Sequence, residues 1–276
     1  MPEQRRFKYS LPYWCLGLTE WNWDIHRICE TAKELGIHSL ELVPSELLLE
    51  VKKRGLGIAL ANNGMPDPPF QKGLNNLRYH EEVIERTKRA IDECMEFDIP
   101  NVIAFTGYKW TNAEDPQSGE ISRDQGATNC VAGLKHLAQY AAANNVTVCL
   151  EHLNTRDGSH PMKGHPGYHG DDLDYCATII ERVGLPNVKL LFDCYHVQMM
   201  HGDLIRRIRQ HGALIGHVHT AGNPGRAELD DNQEIHYPGV MRALKATSYG
   251  GFVGHEFIPT RNPHEGLAEA IRICEA

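Results

Sequence analysis

Short apolar runs alternate with longer stretches in which apolar positions recur every three or four residues, and the alternation persists along nearly the whole sequence. The runs at 9–16, 39–43, 56–61, 102–106, 146–151, 188–193, 214–219 and 252–257 predict strands. Between them, 24–35, 80–97, 122–144, 171–183 and 203–211 predict helices, and 264–274 predicts a closing one. Asp24 stands where a helix start needs a side-chain acceptor, Gly36 follows the same helix, and Tyr237-Pro238 puts a proline where the seventh helix should begin. Strand then helix, eight times, is the pattern of a (β/α)8 TIM barrel. An open doubly wound sheet would usually use fewer strands and often begin with a glycine-rich turn. The 276 residues suit one such barrel, so 1–276 is expected to form a single domain whose core needs no disulfides.

Three longer insertions, 62–79, 107–121 and 152–170, each follow a predicted strand. In a (β/α)8 barrel such loops gather at the C-terminal face, where active sites are built. Composition narrows the partner: 36 acidic against 28 basic side chains give a net charge of −8 and no basic face for phosphates. A small molecule is expected, not nucleic acid or an anionic membrane surface. No apolar stretch reaches the length of a membrane span, and Met1 to Arg6 leads into Phe7 with no hydrophobic run behind the basic pair. The cysteines, at 15, 29, 94, 130, 149, 176, 194 and 274, show no C-x-x-C spacing and read as small buried hydrophobes of a reducing compartment. A cytoplasmic protein, with a homo-oligomer as a possible assembly, is the expectation.

Sixteen histidines hint at metal or proton-transfer chemistry, and the ends of the last four predicted strands give the hint a place. Strand five ends Val148-Cys149-Leu150-Glu151, strand six Leu191-Phe192-Asp193, strand seven His217-Val218-His219 and strand eight Val253-Gly254-His255-Glu256. Side chains alternate along a strand, so Val148 and Leu150 facing the helices turn Glu151 into the barrel mouth, and Leu190 and Phe192 do the same for Asp193. Any one of these residues alone reads as an ordinary polar strand terminus. Glu151, Asp193, His219 and Glu256 on four successive strands converge on one point. Three carboxylates and one imidazole suit a single divalent ion, Mn²⁺, Mg²⁺ or Co²⁺, with Zn²⁺ also compatible. Without a cation the carboxylates would repel, and at least one would hold a proton.

Near these ligands, His196 lies three residues beyond Asp193, and Arg226 ends the turn that follows His219. Both are placed to hold substrate oxygens; the plainer readings are a helix-capping histidine and a surface ion pair. Glu41, near the end of strand two, reads either as support behind the ligands or as a structural hydrogen bond. His217 shares the parity of His219 and reads equally as a core histidine. His152, Asn154, Arg156 and Asp157 either shape the pocket or belong to a solvated loop, and Trp14, Trp21 and Trp110 either wall the site or pack. His160, His165 and His169 suggest a second metal or, more simply, a polar lid.

The run Glu151-His152-Leu153-Asn154-Thr155-Arg156-Asp157, the pair Asp193-x-x-His196, the stretch from Gly216 to Arg226, Glu234-Ile235-His236-Tyr237-Pro238 and Gly254-His255-Glu256-Phe257 resemble hydroxypyruvate isomerases. These belong to the xylose isomerase-like TIM barrels, with the ketose 3-epimerases as relatives. The resemblance implies a metal set of Glu151, Asp193, His219 and Glu256, with Glu151 and Glu256 also serving as catalytic acid and base. It places His196 and Arg226 at substrate-binding positions. His219 resembles the epimerase branch, since hydroxypyruvate isomerases often carry glutamine there. The chemistry implied is enediolate proton transfer on a small hydroxy-carbonyl compound, hydroxypyruvate or a ketose.

Other activities share parts of this machinery. A lyase or dehydratase of a keto-sugar needs the same metal and differs in its leaving group. A DNA repair endonuclease on the same barrel needs more metal ligands and a basic groove, and a sugar-binding barrel without turnover would keep the fold alone.

Overall fold

The computed structural model describes residues 7–276, so the segment Met1 to Arg6 lies outside it. Eight parallel strands form the centre: β1 (Lys8–Pro12), β2 (Ser39–Glu41), β3 (Gly57–Leu60), β4 (Asn101–Phe105), β5 (Thr147–Glu151), β6 (Val188–Asp193), β7 (Ile215–Thr220) and β8 (Phe252–His255). Their order is β3-β2-β1-β8-β7-β6-β5-β4. A parallel bridge between Ala61 and Val102 joins the two ends, with Ala61 N–H donating to the Asn101 carbonyl at 2.9 Å and Ile103 N–H to the Ala61 carbonyl at 3.1 Å. The sheet is a (β/α)8 barrel. Around it run α1 (Ile25–Glu34), α2 (Leu48–Lys53), α3 (His80–Glu96), α4 (Arg123–Ala143), α5 (Leu173–Val183), α6 (Leu204–His211), α7 (Tyr237–Lys245) and α8 (Pro263–Glu275).

The helix starts follow from local chemistry. The carboxylate of Asp24 accepts from the Arg27 N–H, Ser122 accepts from Gln125, and Asp172 accepts from Tyr175, each cap worth about 1 kcal/mol. Gly36 takes a positive φ of 63° where the chain leaves α1. Alternation along the strands divides the interior. Val148, Leu150, Leu190 and Phe192 pack outward into the main core beneath the helices, while Cys149 and Leu191 point into the barrel beside Leu60, Ile103 and Phe105.

Three differences from the sequence reading have physical reasons. The first strand ends at Pro12, and Trp14–Gly17 is a helical turn; the apolar run Trp-Cys-Leu-Gly carries no periodicity to separate the two. Trp110–Asn112 and Asp115–Glu120 pair as an antiparallel hairpin inside the 107–121 loop. That hairpin is mostly solvent-exposed, so it lacks the apolar alternation by which a half-buried strand is read. A further helix, Cys194–Met200, begins directly at the end of β6. Among the described residues no helix is long and apolar enough to cross a membrane, and all eight cysteines are buried free thiols.

Candidate metal centre

The parallel register brings the four ligand candidates to one level. Asp193 on β6 lies opposite His219 on β7. Glu151 lies opposite Leu191, two residues short of Asp193, and His219 lies opposite Gly254, two residues short of Glu256. This stagger is the slant of barrel strands against the axis. Glu256 stands just past β8, and its N–H continues the ladder by donating to the Thr220 carbonyl at 3.0 Å. One ligating atom from each of Glu151, Asp193, His219 and Glu256 falls within 4.8 Å of all the others, and all four side chains are buried. His219 Nδ1 lies 2.8 Å from Glu256 Oε2 and 3.9 Å from Glu151 Oε1. Glu151 Oε1 has no hydrogen-bond partner. Burying such an atom unpaired is costly, and a divalent cation held with Asp193, His219 and Glu256 would satisfy it. The cluster is therefore able to hold a metal ion.

The imidazole of His219 is aimed from behind. Its Nε2 sits 2.8 Å from Glu41 Oε2, and His217 Nε2 sits 2.9 Å from the same oxygen, all three side chains fully buried. With Nε2 donating to a carboxylate, the neutral ring would turn its Nδ1 lone pair toward the cluster, the arrangement by which a second residue fixes a metal-binding histidine. Room for this carboxylate comes from Gly254: a Cβ there would stand 2.4 Å from Glu41 Oε1 and 2.8 Å from His219 Cδ2. The structure places Glu41 directly behind a ligand candidate and His217 as a buried histidine on the same Glu41 oxygen.

Proton affinities inside the cluster diverge. Burial, and next the charge of Glu256, push the Glu151 carboxyl well above the usual carboxylate range. Burial acts in the same direction on Glu256, but His219 and Arg226 more than offset it and hold that carboxyl low. Asp193 is raised, by burial first, against the pull of Arg226. His219 is raised well above its ordinary value because Glu256 and Glu41 outweigh the cost of burying its charge. For Glu151 the folded protein holds the proton more tightly than the unfolded chain, so the metal-free protein loses stability as pH rises from the ordinary carboxylate value toward the raised one. A bound cation needs Glu151 ionised and reverses this loss. The rise in Tm on adding Mn²⁺ is thus expected to be larger at neutral than at mildly acidic pH, as thermal scans at matched ionic strength would show. A gain independent of pH would contradict the assignment of Glu151.

His196 and Arg226 both reach the cluster. His196 is the third residue of the helix that starts after Asp193, and Asp193 caps that helix by accepting from the Tyr195 N–H at 2.8 Å. Asn154 supplies two donors to His196 Nδ1, its backbone N–H at 3.3 Å and its side-chain amide at 2.7 Å. The proton therefore belongs on Nε2, which lies 3.5 Å from Asp193 Oδ2. Burial and the nearby Arg226 charge hold the ring well below its usual pKa, so it is a neutral donor. Arg226 is buried, not a surface residue, and its guanidinium contacts Asp193, Glu256 and the Met162 carbonyl.

The remaining candidates separate. Trp14 enters the site, its indole N–H donating to Glu256 Oε1 at 2.8 Å. Trp21 donates to the Pro259 carbonyl and Trp110 belongs to the hairpin. Asn154 and His152 are buried, whereas Arg156 is exposed and the Asp157 carboxylate accepts from Ser159. The three loop histidines lie apart: His160 is exposed, His165 packs on Phe70 with ring centroids 4.1 Å apart, and His169 bonds to Ile121 and Tyr175. Among the described residues the one other group able to hold a metal is Glu41, His217 and His219, where the shared Glu41 oxygen already faces both imidazoles.

A protein-family model described as xylose isomerase-like TIM barrel matches residues 29–276. The chain belongs to this family. Within it, the chain is 36% identical over 173 residues to the 2-oxo-tetronate isomerase of Cupriavidus necator, covering 61% of this chain and 64% of that protein, which is under two thirds of the relative's length. It is 37% identical over 223 residues to a putative hydroxypyruvate isomerase of Drosophila melanogaster, covering 81% and 80% of the two chains. Among solved structures, an AP endonuclease, family 2, from Brucella melitensis superposes with a TM-score of 0.78 at 24% identity, over 96% of this chain and 98% of that one. At that identity the likeness is one of fold.

Proposed function

We propose that the protein is a divalent-metal-dependent isomerase or epimerase of a small hydroxy-carbonyl compound, hydroxypyruvate or a ketose. The observation that carries this reading is the buried set of Glu151, Asp193, His219 and Glu256, whose ligating atoms lie within 4.8 Å of one another and include two glutamates. Two glutamates at one metal-binding cluster supply an acid and a base within one site. The 2-oxo-tetronate and hydroxypyruvate isomerases among its relatives support the same class of reaction. A bound Mn²⁺, Mg²⁺ or Co²⁺ would contribute positive charge that acidifies the carbon-bound proton beside the carbonyl and stabilises the charge left on oxygen.

The residues divide the remaining work. One glutamate removes the proton and the other returns it, to the neighbouring carbon in an isomerase or to the opposite face of the same carbon in an epimerase. Trp14 holds Glu256 by one oxygen and leaves Oε2 facing the cluster. His196 offers its Nε2 proton to a substrate oxygen, and Arg226 offers a cation for an anionic or hydroxyl oxygen. The test is hydrogen exchange by NMR in deuterated water, with metal-loaded protein and a panel of hydroxypyruvate, tetruloses, pentuloses and hexuloses. Metal-dependent exchange of a substrate C–H is expected; its absence across the panel would refute the proposal. Loss of a leaving group during exchange would favour the lyase instead.

Arg226→Ala is expected to lose kcat/KM by about a hundredfold or more, because positioning through a bidentate cation is lost, while the protein keeps its metal. Steady-state kinetics alongside metal analysis would check this. Unchanged kinetics would remove Arg226 from the site.

A further inference from the structure

Each of two ligand carboxylates has one oxygen already committed. Asp193 Oδ1 accepts from the Tyr195 N–H and Glu256 Oε1 from the Trp14 indole, both at 2.8 Å. The oxygens left for a metal are Asp193 Oδ2 and Glu256 Oε2. Both accept from a single nitrogen, Arg226 Nη2, at 3.0 and 2.5 Å. One NH2 group has two protons, so this pair of contacts saturates it. The other arm, Nη1, donates to the Met162 carbonyl at 2.5 Å and so ties the 152–170 loop to the cluster.

We propose that Arg226 is an internal counter-ion of the metal-free centre, displaced from Asp193 and Glu256 when the divalent cation enters and thereby released to bind the substrate. The proposal rests on the metal reading above. Its physical basis is competition: cation and guanidinium use the same two oxygens, and a cation seated on them would stand within a few ångström of a buried positive charge. The backbone of Arg226 is pinned, its carbonyl accepting from the Ile258 N–H at 2.7 Å and the neighbouring Gly222 and Ala227 joined by a bridge. Movement is thus confined to the side chain. The guanidinium carbon already lies 5.3 Å from the Trp14 ring centre and 5.7 Å from that of Tyr195, so aromatic faces border the volume into which it would swing. Binding becomes ordered, with metal first and the oxygen-bearing substrate second.

The test compares Mn²⁺ affinity of wild type, Arg226→Ala and Arg226→Lys by chelator competition, with Tm recorded with and without the ion. If Arg226 competes with the metal, Arg226→Ala binds Mn²⁺ at least about tenfold more tightly. Its metal-free Tm falls, and the deficit closes on loading; Arg226→Lys, a charge that cannot span both carboxylates, lies between. Equal or weaker Mn²⁺ binding by Arg226→Ala, with wild type binding the ion, overturns the counter-ion role and leaves the metal reading standing. Failure of wild type to bind Mn²⁺ overturns both. A measurement that needs no variant uses arginine labelled with a nitrogen isotope. The distinct Nη1 and Nη2 resonances of a guanidinium held at both arms are expected to shift or merge on adding Mg²⁺, and an unchanged spectrum with Mg²⁺ bound overturns the proposal.

Discussion

Glutamine at position 151 or 256 is expected to reduce kcat by roughly three orders of magnitude, because it keeps an oxygen ligand and the shape of the side chain but removes the group that takes or gives the proton. The two variants should differ in metal affinity. Glu151 Oε1 has no competing partner, so an amide oxygen can take its place toward the ion. Glu256 has both oxygens in use, Oε1 toward Trp14 and Oε2 toward His219 and Arg226, and all of these neighbours donate or carry positive charge. An amide has one acceptor end, so Glu256→Gln sets its NH2 against a donor whichever way it turns. Its Mn²⁺ affinity should therefore fall further than that of Glu151→Gln. Single-turnover kinetics and metal titration would read both effects, and a metal-loaded Glu256→Gln protein with wild-type turnover would end the two-glutamate mechanism.

Glu41→Ala is expected to cost about 3–5 kcal/mol of stability, the penalty for removing one member of a buried, hydrogen-bonded charge group. It strands the Nε2 atoms of His217 and His219 together, since both face the same oxygen. Divalent-ion affinity should drop by about ten- to a hundredfold, the usual effect of losing the group that orients a metal-binding histidine. Glu41→Gln can keep its amide oxygen before both imidazoles but loses the negative charge, and should fall between. Urea denaturation measures the first effect and Mn²⁺ titration the second. A Glu41→Ala protein as stable and as metal-avid as wild type would show that His219 is aimed by something else.

The ligand candidates were legible because each stands at the C-terminal end of a strand whose outward-facing residues are apolar. For Glu151, Val148 and Leu150 in the core fix the parity, and for Asp193, Leu190 and Phe192 do. The partner of His219 was not legible in the same way. Glu41 comes from β2, which does not neighbour β7 in the sheet, and the contact crosses the barrel interior through space that Gly254 leaves open. Alternation along one strand says which way a side chain points but not what it meets across the barrel. The hairpin over Trp110–Glu120 was hidden for another reason: its hydrogen bonds form in solvent and leave no apolar signature. Arg226 was placed near the ligands by sequence distance alone. That its guanidinium lies buried between two carboxylates depends on the path of the turn, where Arg226 itself adopts a positive φ of 56°.

The barrel is not modular where it matters. All four ligand candidates come from the half that holds β5 to β8, which makes that half look like a portable metal site. The residue that aims His219 belongs to the other half, and the space it occupies was left by a glycine of the first. A transplanted C-terminal half would carry every ligand and a hole beside Gly254, and would hold its histidine loosely. Fragments split between β4 and β5 should regain tight metal binding only when the half bearing Glu41 is restored, and any larger residue at 254 would have to be matched by a smaller one at 41.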